Sequence, residues 1–184
     1  MTLSKASPRQ LIHTRSIACH GYQRQDGRWD IEATLTDTKS YSFANRDRDG
    51  IAAGEPIHLM RIRLTLDDDL VVLAAEAATD ASPFTICGDI APKFSALLGL
   101  QIGPGWRRAV NARFKGVAGC THLTELLLGP VATTALQTIA GARAKRLQDR
   151  HDGRPPAVID TCHALSGDGP IVKREWPAFY RGEK

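Results

Sequence analysis

Two Cys/His pairs are the residues of this chain whose types and spacing could do chemistry. Cys120 and His122 flank Thr121, whose side chain is typical of a helix N-cap, and Cys162 and His163 follow later in the chain. Thiolate and imidazole are the donors that zinc prefers, so the four side chains could bind zinc or iron. Alternatively, the cysteines are small buried thiols and each histidine makes a local hydrogen bond.

The same residues could also act without a metal. A helix N-terminus lowers the pKa of a thiol, so Cys120 could be a nucleophile with His122 or His163 as its base. Cys87 is a second candidate thiol, although its apolar neighbours favour a packing role. None of the cysteines forms a C-x-x-C pair, which excludes a standard zinc ribbon or finger.

A third set of residues could transfer protons. Asp37, Lys39 and Tyr41 alternate along the chain, so their side chains share one face if the segment is extended. His58 stands at the start of a later extended segment. Such groups can orient a phenolate or a carboxylate and move a proton. The alternative is a solvated strand end with a weak surface ion pair.

The elements that must position these residues are extended segments in the first half of the chain. An extended pattern begins at Ser16, and the Asp-Gly pair within residues 25–28 predicts a hairpin turn. Apolar and polar residues alternate over residues 29–36, which predicts a half-buried strand. Residues 57–66 and 70–79 read as a second hairpin. The first half is therefore expected to form an antiparallel meander of about four strands.

Helical patterns follow in the second half. They predict a short helix over residues 92–98, another over residues 103–114, and a third that begins at Thr121. Gly129 and Pro130 must break or kink the third helix. Because the strands come first and the helices after them, the fold class is predicted to be α+β.

Composition indicates one globular domain over residues 1–184, with a loose arm at 1–13 and an irregular tail at 149–184. No apolar run is long enough for a membrane helix, and the N-terminus lacks a signal-peptide pattern, so a cytoplasmic location is expected. The net charge of +4 is small and scattered along the chain. It favours a small anionic ligand over nucleic acid as the partner.

Several segments taken together resemble a proteobacterial family that is catalogued as a domain of unknown function. The segments span nearly the whole chain: Trp29-Asp-Ile-Glu32, Asp37-Thr-Lys-Ser-Tyr41, Gly54-Glu-Pro-Ile-His-Leu-Met60, Ile102-Gly-Pro-Gly-Trp106, Gly119-Cys-Thr-His-Leu-Thr-Glu-Leu126 and Asp160-Thr-Cys-His163. The resemblance implies a role in the breakdown of lignin-derived aromatics. The most concrete activity that it implies is a γ-formaldehyde lyase, which converts a phenylcoumaran into a stilbene.

Such a lyase needs an acid–base pair and a cation near oxygen, but no redox cofactor and no covalent nucleophile. The candidate catalytic residues are His122, His58, Tyr41, Lys39 and Asp37. The candidate substrate-binding residues are Arg61, which could hold a carboxylate, and Trp106, Cys120 and His163.

The expected protein is thus a homodimeric, cofactor-independent carbon–carbon lyase for a small aromatic substrate. Two alternatives stay open. One is a zinc or iron enzyme or scaffold whose ligands are Cys120, His122, Cys162 and His163. The other is a non-catalytic module that binds anionic aromatics.

Overall fold

The computed structural model describes residues 2–150, 153, 155–156 and 158–182, with side chains of the long helix described as far as residue 142. The chain forms two compact units, Met1–Arg143 and Ala144–Lys184. The single domain over residues 1–184 stays a prediction. Among the described residues, none of the helices has the length and apolar character needed to cross a membrane.

The first unit is built on a four-stranded antiparallel sheet. Its strands are β1 (His13–Gln23), β2 (Trp29–Lys39), β3 (Pro56–Leu66) and β4 (Val72–Ala81), and each pairs with the next in chain order. This order confirms the predicted meander. The strand β1 begins at His13 rather than Ser16, so the strand includes both His13 and Arg15.

The alternation in β2 buries every second side chain against the rest of the unit. Trp29, Ile31, Ala33 and Leu35 lie in the core, and the same inward face continues to Asp37. In the sheet, Asp37 is opposite Arg15 of β1 on one side and His58 of β3 on the other. The register therefore brings together three polar residues that are far apart in sequence.

A 3₁₀ helix (Thr85–Leu97) follows the sheet, then α1 (Trp106–Phe114), α2 (Thr121–Leu126) and α3 (Ala132–Arg150). Strands followed by helices confirm the α+β class. The first helix is longer than the predicted 92–98, and α1 begins after Pro104 rather than at it. Buried side chains of these helices complete the core, and the rings of Phe94 and Phe114 stack with centroids 4.5 Å apart.

The predicted irregularity at Gly129 and Pro130 is a π-helical turn, Leu127–Val131, between α2 and α3. Proline lacks an N–H group and cannot continue the α-helical hydrogen-bond ladder. Two carbonyls of this turn accept hydrogen bonds from side chains: Trp106 Nε1 donates to the Leu127 carbonyl at 2.8 Å, and Thr133 Oγ1 donates to the Gly129 carbonyl at 2.9 Å. The α-helix is thus interrupted by the π turn, and helical structure resumes at Ala132.

The second unit has more regular structure than the predicted irregular tail. The long helix α3 ends at Arg150, so the chain is still helical at residue 149, and α4 (Pro170–Glu175) lies between two short 3₁₀ turns, His163–Leu165 and Pro177–Phe179. The Asp160 carboxylate accepts hydrogen bonds from the Gly167 N–H and from Arg181.

Candidate functional site

The candidate site is organised around Asp37, a carboxylate on the buried face of β2. Its side chain is 1% exposed. Arg15 of β1 donates two parallel hydrogen bonds to it, from Nε to Oδ1 and from Nη2 to Oδ2, both at 2.8 Å. This bidentate geometry is the strongest form of an arginine–carboxylate pair, and it fixes the plane of the carboxylate.

Two histidines from the flanking strands also contact Asp37. His13 Nε2 lies 3.2 Å from Oδ1, and His58 Nδ1 lies 3.0 Å from Oδ2. An ionised carboxylate only accepts hydrogen bonds, so the proton of the His58 contact resides on Nδ1. The Nε2 atom of a neutral His58 then carries a lone pair and can act as a base.

A third histidine, His122, comes from the first turn of α2. Its Nε2 lies 3.7 Å from Asp37 Oδ2, and its ring stacks on that of His58 with centroids 3.8 Å apart and planes tilted by 35°. On its other side, Nδ1 lies 4.0 Å from the Sγ of Cys120. The N-cap of α2 is Cys120 rather than Thr121, so Thr121 is the first helical residue.

The electrostatic state of this cluster follows from burial and from neighbouring charges. Burial alone would raise the pKa of Asp37, but the hydrogen bonds and charge of Arg15, together with His58, lower that pKa to about 2. Burial lowers the pKa of His58 and outweighs the opposite effect of Asp37. Burial, and then the charges of His58 and Arg15, lower the pKa of His122. At neutral pH the cluster therefore contains an ionised carboxylate and two uncharged imidazoles.

A cleft of about 500 Å³ opens onto the two imidazoles. Apolar side chains form much of its wall, and they include Phe84, Ile86 and Val117, which are strongly exposed. Met60 and Cys120 lie beside the histidines, with their sulfur atoms 3.6 Å apart. An apolar cleft with a few convergent polar groups is the usual form of a small-molecule site.

The chemistry that this arrangement supports is proton transfer. Asp37 orients His58 and stabilises the imidazolium that forms when His58 accepts a proton. Because like charges at this separation repel, His58 and His122 are not readily protonated to the positively charged imidazolium at the same time. The pair can therefore pass one proton between two positions in the cleft.

Asp37, His58 and His122 are also a group that could hold a metal ion, since their ligand atoms all lie within 4.8 Å of one another. Two histidines and one carboxylate form a known ligand set for iron and zinc. Arg15 competes with that use, because it places a positive charge against both oxygens of the same carboxylate. The donor set fits a metal ion, whereas the positive charge of Arg15 beside it disfavours metal binding.

The predicted acid–base residues are only partly brought together. Asp37 and His58 meet, whereas β2 ends at Lys39 and leaves Tyr41 beyond the strand with 44% of its surface exposed. Lys39 Nζ lies 5.3 Å from the centroid of the Tyr41 ring. In the part of the chain that the structure describes, neither residue forms a hydrogen bond or an ion pair with Asp37.

The predicted substrate-binding residues have different locations. Cys120 lines the cleft, but Arg61 lies on the opposite face of the sheet, where its Nε pairs with Asp80 at 2.8 Å. Trp106 is a core residue with 4% of its surface exposed, which leaves little area for a ligand. The exposed residues Cys162 and His163 belong to the second unit, so their predicted metal set with Cys120 and His122 stays a prediction.

Sequence reasoning missed Arg15, His13 and Glu125. The signal was present for Arg15, because the alternation of β1 places it on the same face as Ile17 and Cys19. Glu125 lies on α2 and accepts a hydrogen bond from Arg15 Nη1 at 2.6 Å. That contact depends on how α2 packs on the sheet, which no local pattern predicts.

A family model matches residues 13–137, which span the sheet, α1, α2 and the start of α3. The chain belongs to the family described as Protein of unknown function (DUF2889). The DUF2889 segment contains Asp37, His58 and His122, and it ends before Cys162 and His163. No curated protein and no solved structure matches the chain. The chemistry of this DUF2889 protein must therefore be argued from its own site.

Proposed function

We propose that this DUF2889 protein is a cofactor-independent enzyme that transfers protons on an aromatic substrate. The observation that carries the proposal is the contact between an Asp37-oriented His58 and a stacked His122 at an apolar cleft. The apolar wall suits an aromatic ring system, and the two uncharged imidazoles can act as base and acid at neutral pH.

The reaction that we assign to this site is formaldehyde release from a lignin-derived phenylcoumaran. In the first step, a base removes the phenol proton and the phenolate electrons expel the benzylic ether oxygen, which leaves a quinone methide. The departing oxygen becomes a phenol by taking a proton from the site. In the second step, a base removes the proton of the primary alcohol, the adjacent carbon–carbon bond breaks, and formaldehyde leaves. The bonding electrons form the alkene and restore the aromatic ring, so no oxidant or reductant is needed.

His58 and His122 fit the two proton transfers of this sequence. His58 accepts the first proton at Nε2 while Asp37 stabilises the resulting charge, and the pair returns that proton to the ether oxygen. The uncharged pair then accepts the alcohol proton and gives it to the phenolate. Arg15 holds the carboxylate in position for both transfers and does not need to contact the substrate.

The direct test is to incubate the purified protein with a phenylcoumaran and to measure formaldehyde and stilbene together. We expect equal amounts of both products. The matched control is Arg61→Ala, which removes a cation from the opposite face of the sheet and should leave the rate unchanged. Saturable binding of the phenylcoumaran without formaldehyde would favour the non-catalytic binding module instead.

The second candidate function is a zinc- or iron-dependent enzyme, and the proximity of Asp37, His58 and His122 favours it specifically. Elemental analysis of the purified protein separates the two candidates. A stoichiometric metal that is lost in His58→Ala and in His122→Ala would contradict the metal-free lyase. A metal lost only in Cys120→Ala and Cys162→Ala would indicate the ligand set predicted from sequence.

A further inference from the structure

A second cleft, of about 540 Å³, lies between α1 and the α2–π-turn segment. Its lining includes Arg107, Asn111, Phe114 and Lys115 from one side and Thr124 and Leu128 from the other. His58 and His122 are not among its lining residues, although it is built on the same helix α2. The proton-transfer chemistry proposed above makes no use of this cleft.

Thr124, one of the residues that line the cleft, carries a buried hydroxyl without a partner. Thr124 is 9% exposed, and its Oγ1 has no hydrogen-bond partner among the described residues. Buried polar groups in folded proteins almost always have a partner, which can be protein, water or ligand. A rotation of the Thr124 side chain toward the cleft would therefore let an atom bound there supply the partner that Oγ1 lacks.

The charged groups of the lining favour an anion. Within the described ranges, the side chains of Arg107 and Lys115 form no hydrogen bond or ion pair, and both line the cleft. The one carboxylate in the same lining, Glu125, accepts a hydrogen bond from Arg15 Nη1 at 2.6 Å. Arg15 also pairs with Asp37, so its charge offsets that of Glu125 only in part. The lining still carries two cations against this one carboxylate, which is an excess of positive charge.

Much of the remaining wall is apolar. Leu128 and Pro130 line the cleft, together with Phe114, which is itself only 3% exposed. Inorganic anions cannot use such a wall, whereas an organic acid can place its carbon skeleton there. We propose that this cleft is a binding site for a small organic carboxylate, with Arg107 and Lys115 binding the carboxylate and Thr124 donating its hydroxyl proton.

The test uses benzoate as the probe and the full chain as the protein, with affinity measured by isothermal titration calorimetry. We expect saturable binding that is weakened at least tenfold in the double variant Arg107→Ala/Lys115→Ala. The matched control is Arg108→Ala, because Arg108 is an exposed neighbour on α1 outside the lining. Absence of benzoate binding at millimolar concentration, or equal binding by the double variant, would overturn the proposal.

Two further measurements distinguish this cleft from the one at the histidines. The variant His122→Ala should bind benzoate as the unmodified protein does. A loss of benzoate binding in this variant would assign the benzoate site to the first cleft, which His122 lines. Inorganic phosphate should bind more weakly than benzoate. Tighter phosphate binding would overturn the assignment to an organic acid.

Thr124→Val tests the hydroxyl without disturbing the fold, because valine has nearly the same shape and removes an unpaired polar group. We expect benzoate to bind about tenfold more weakly, in keeping with the loss of a hydrogen bond to a charged group. The melting temperature should be unchanged or higher. An unchanged affinity would mean that Thr124 does not contact the ligand, and it would contradict the proposed binding mode.

Discussion

The inward face of β2 changes character between Leu35 and Asp37, which are neighbouring positions on that face. Leu35 is fully buried opposite Met60, within the apolar core. Asp37 is buried almost as completely, but Arg15 and His58 are its cross-strand neighbours. The geometry of the strand determines that both side chains are buried, whatever their chemistry.

The two positions differ in what burial does to the free energy of folding. Removing a leucine from water stabilises the fold by about 1.5–3 kcal/mol. Removing an aspartate from water is unfavourable, and a paired cation often only offsets the penalty, so an apolar pair of similar volume is frequently as stable or more stable. The pair of a buried Asp37 with a half-buried Arg15 is therefore better explained by the site that it supports than by stability.

The largest expected effect is on the rate of formaldehyde release. Replacement of His58 or His122 by alanine should lower that rate by about 10²–10⁴-fold, the usual contribution of a general acid or base. The fold should be retained, since both rings are only partly buried. The measurement is the rate at saturating phenylcoumaran, with circular dichroism as the check on folding. An unaffected rate in His122→Ala would mean that His122 is structural.

Leu35→Ala is the counterpart of these variants on the apolar part of the face. It should lower the free energy of unfolding by about 2–5 kcal/mol, because it leaves a cavity in the core. The rate per folded molecule should stay within a fewfold of the unmodified protein. If Leu35→Ala kept its stability and lost its activity, that result would contradict the division of the inward face of β2 into an apolar structural part and a polar catalytic part.

The next effect is on stability at Asp37 itself. Asp37→Ala should lower the free energy of unfolding by about 1–3 kcal/mol, because Arg15 and His58 lose the buried acceptor of their hydrogen bonds. The double variant Arg15→Met/Asp37→Leu should recover most of that loss in urea unfolding, since it removes both charges. The same double variant should remain inactive. If it were as unstable as Asp37→Ala, the pair would be required for the fold.

A smaller effect is the dependence of stability on pH. The pKa of Asp37 is about 2 in the folded protein against an ordinary 3.8, so the unfolded chain binds its proton first as the pH falls. The lowered pKa of Asp37 contributes about 2 kcal/mol to the free energy of unfolding. This contribution is fully present above pH 3.8 and is lost as the pH falls toward 2. The pKa values of His58 and His122 are also lowered from 6.5, so an earlier loss begins as the pH falls through 6.5.

Urea unfolding between pH 8 and pH 2 measures both phases. Asp37→Asn should remove the acidic phase, and His58→Gln/His122→Gln should remove the one that begins near 6.5. A stability that rises on acidification from pH 7 to pH 5 would show that the histidines are stabilised in their charged form.

Local pattern was sufficient for the sheet and for part of the site. The alternation of apolar residues predicted β2 and the hairpin of β3 and β4, and Gly129 and Pro130 predicted an irregularity, which is the π turn before α3. The contact of Asp37 with His58 follows from the register between β2 and β3. The sequence pattern leaves that register uncertain by a residue or two. The approach of His122 depends on how α2 packs on the sheet, so no spacing in the sequence predicted it.

The smallest expected effect is at Arg61, which the sequence suggested as a substrate ligand. Its ion pair with Asp80 is a surface pair, with side chains 60% and 39% exposed. Such pairs contribute less than about 1 kcal/mol, so Arg61→Ala should change neither stability nor rate appreciably. Arg15→Ala removes the same side chain from the inward face, and it should lower both stability and rate because Asp37 is then buried without its cation. Equal effects of the two variants on the rate of formaldehyde release would contradict the assignment of the chemistry to the inward face of the sheet.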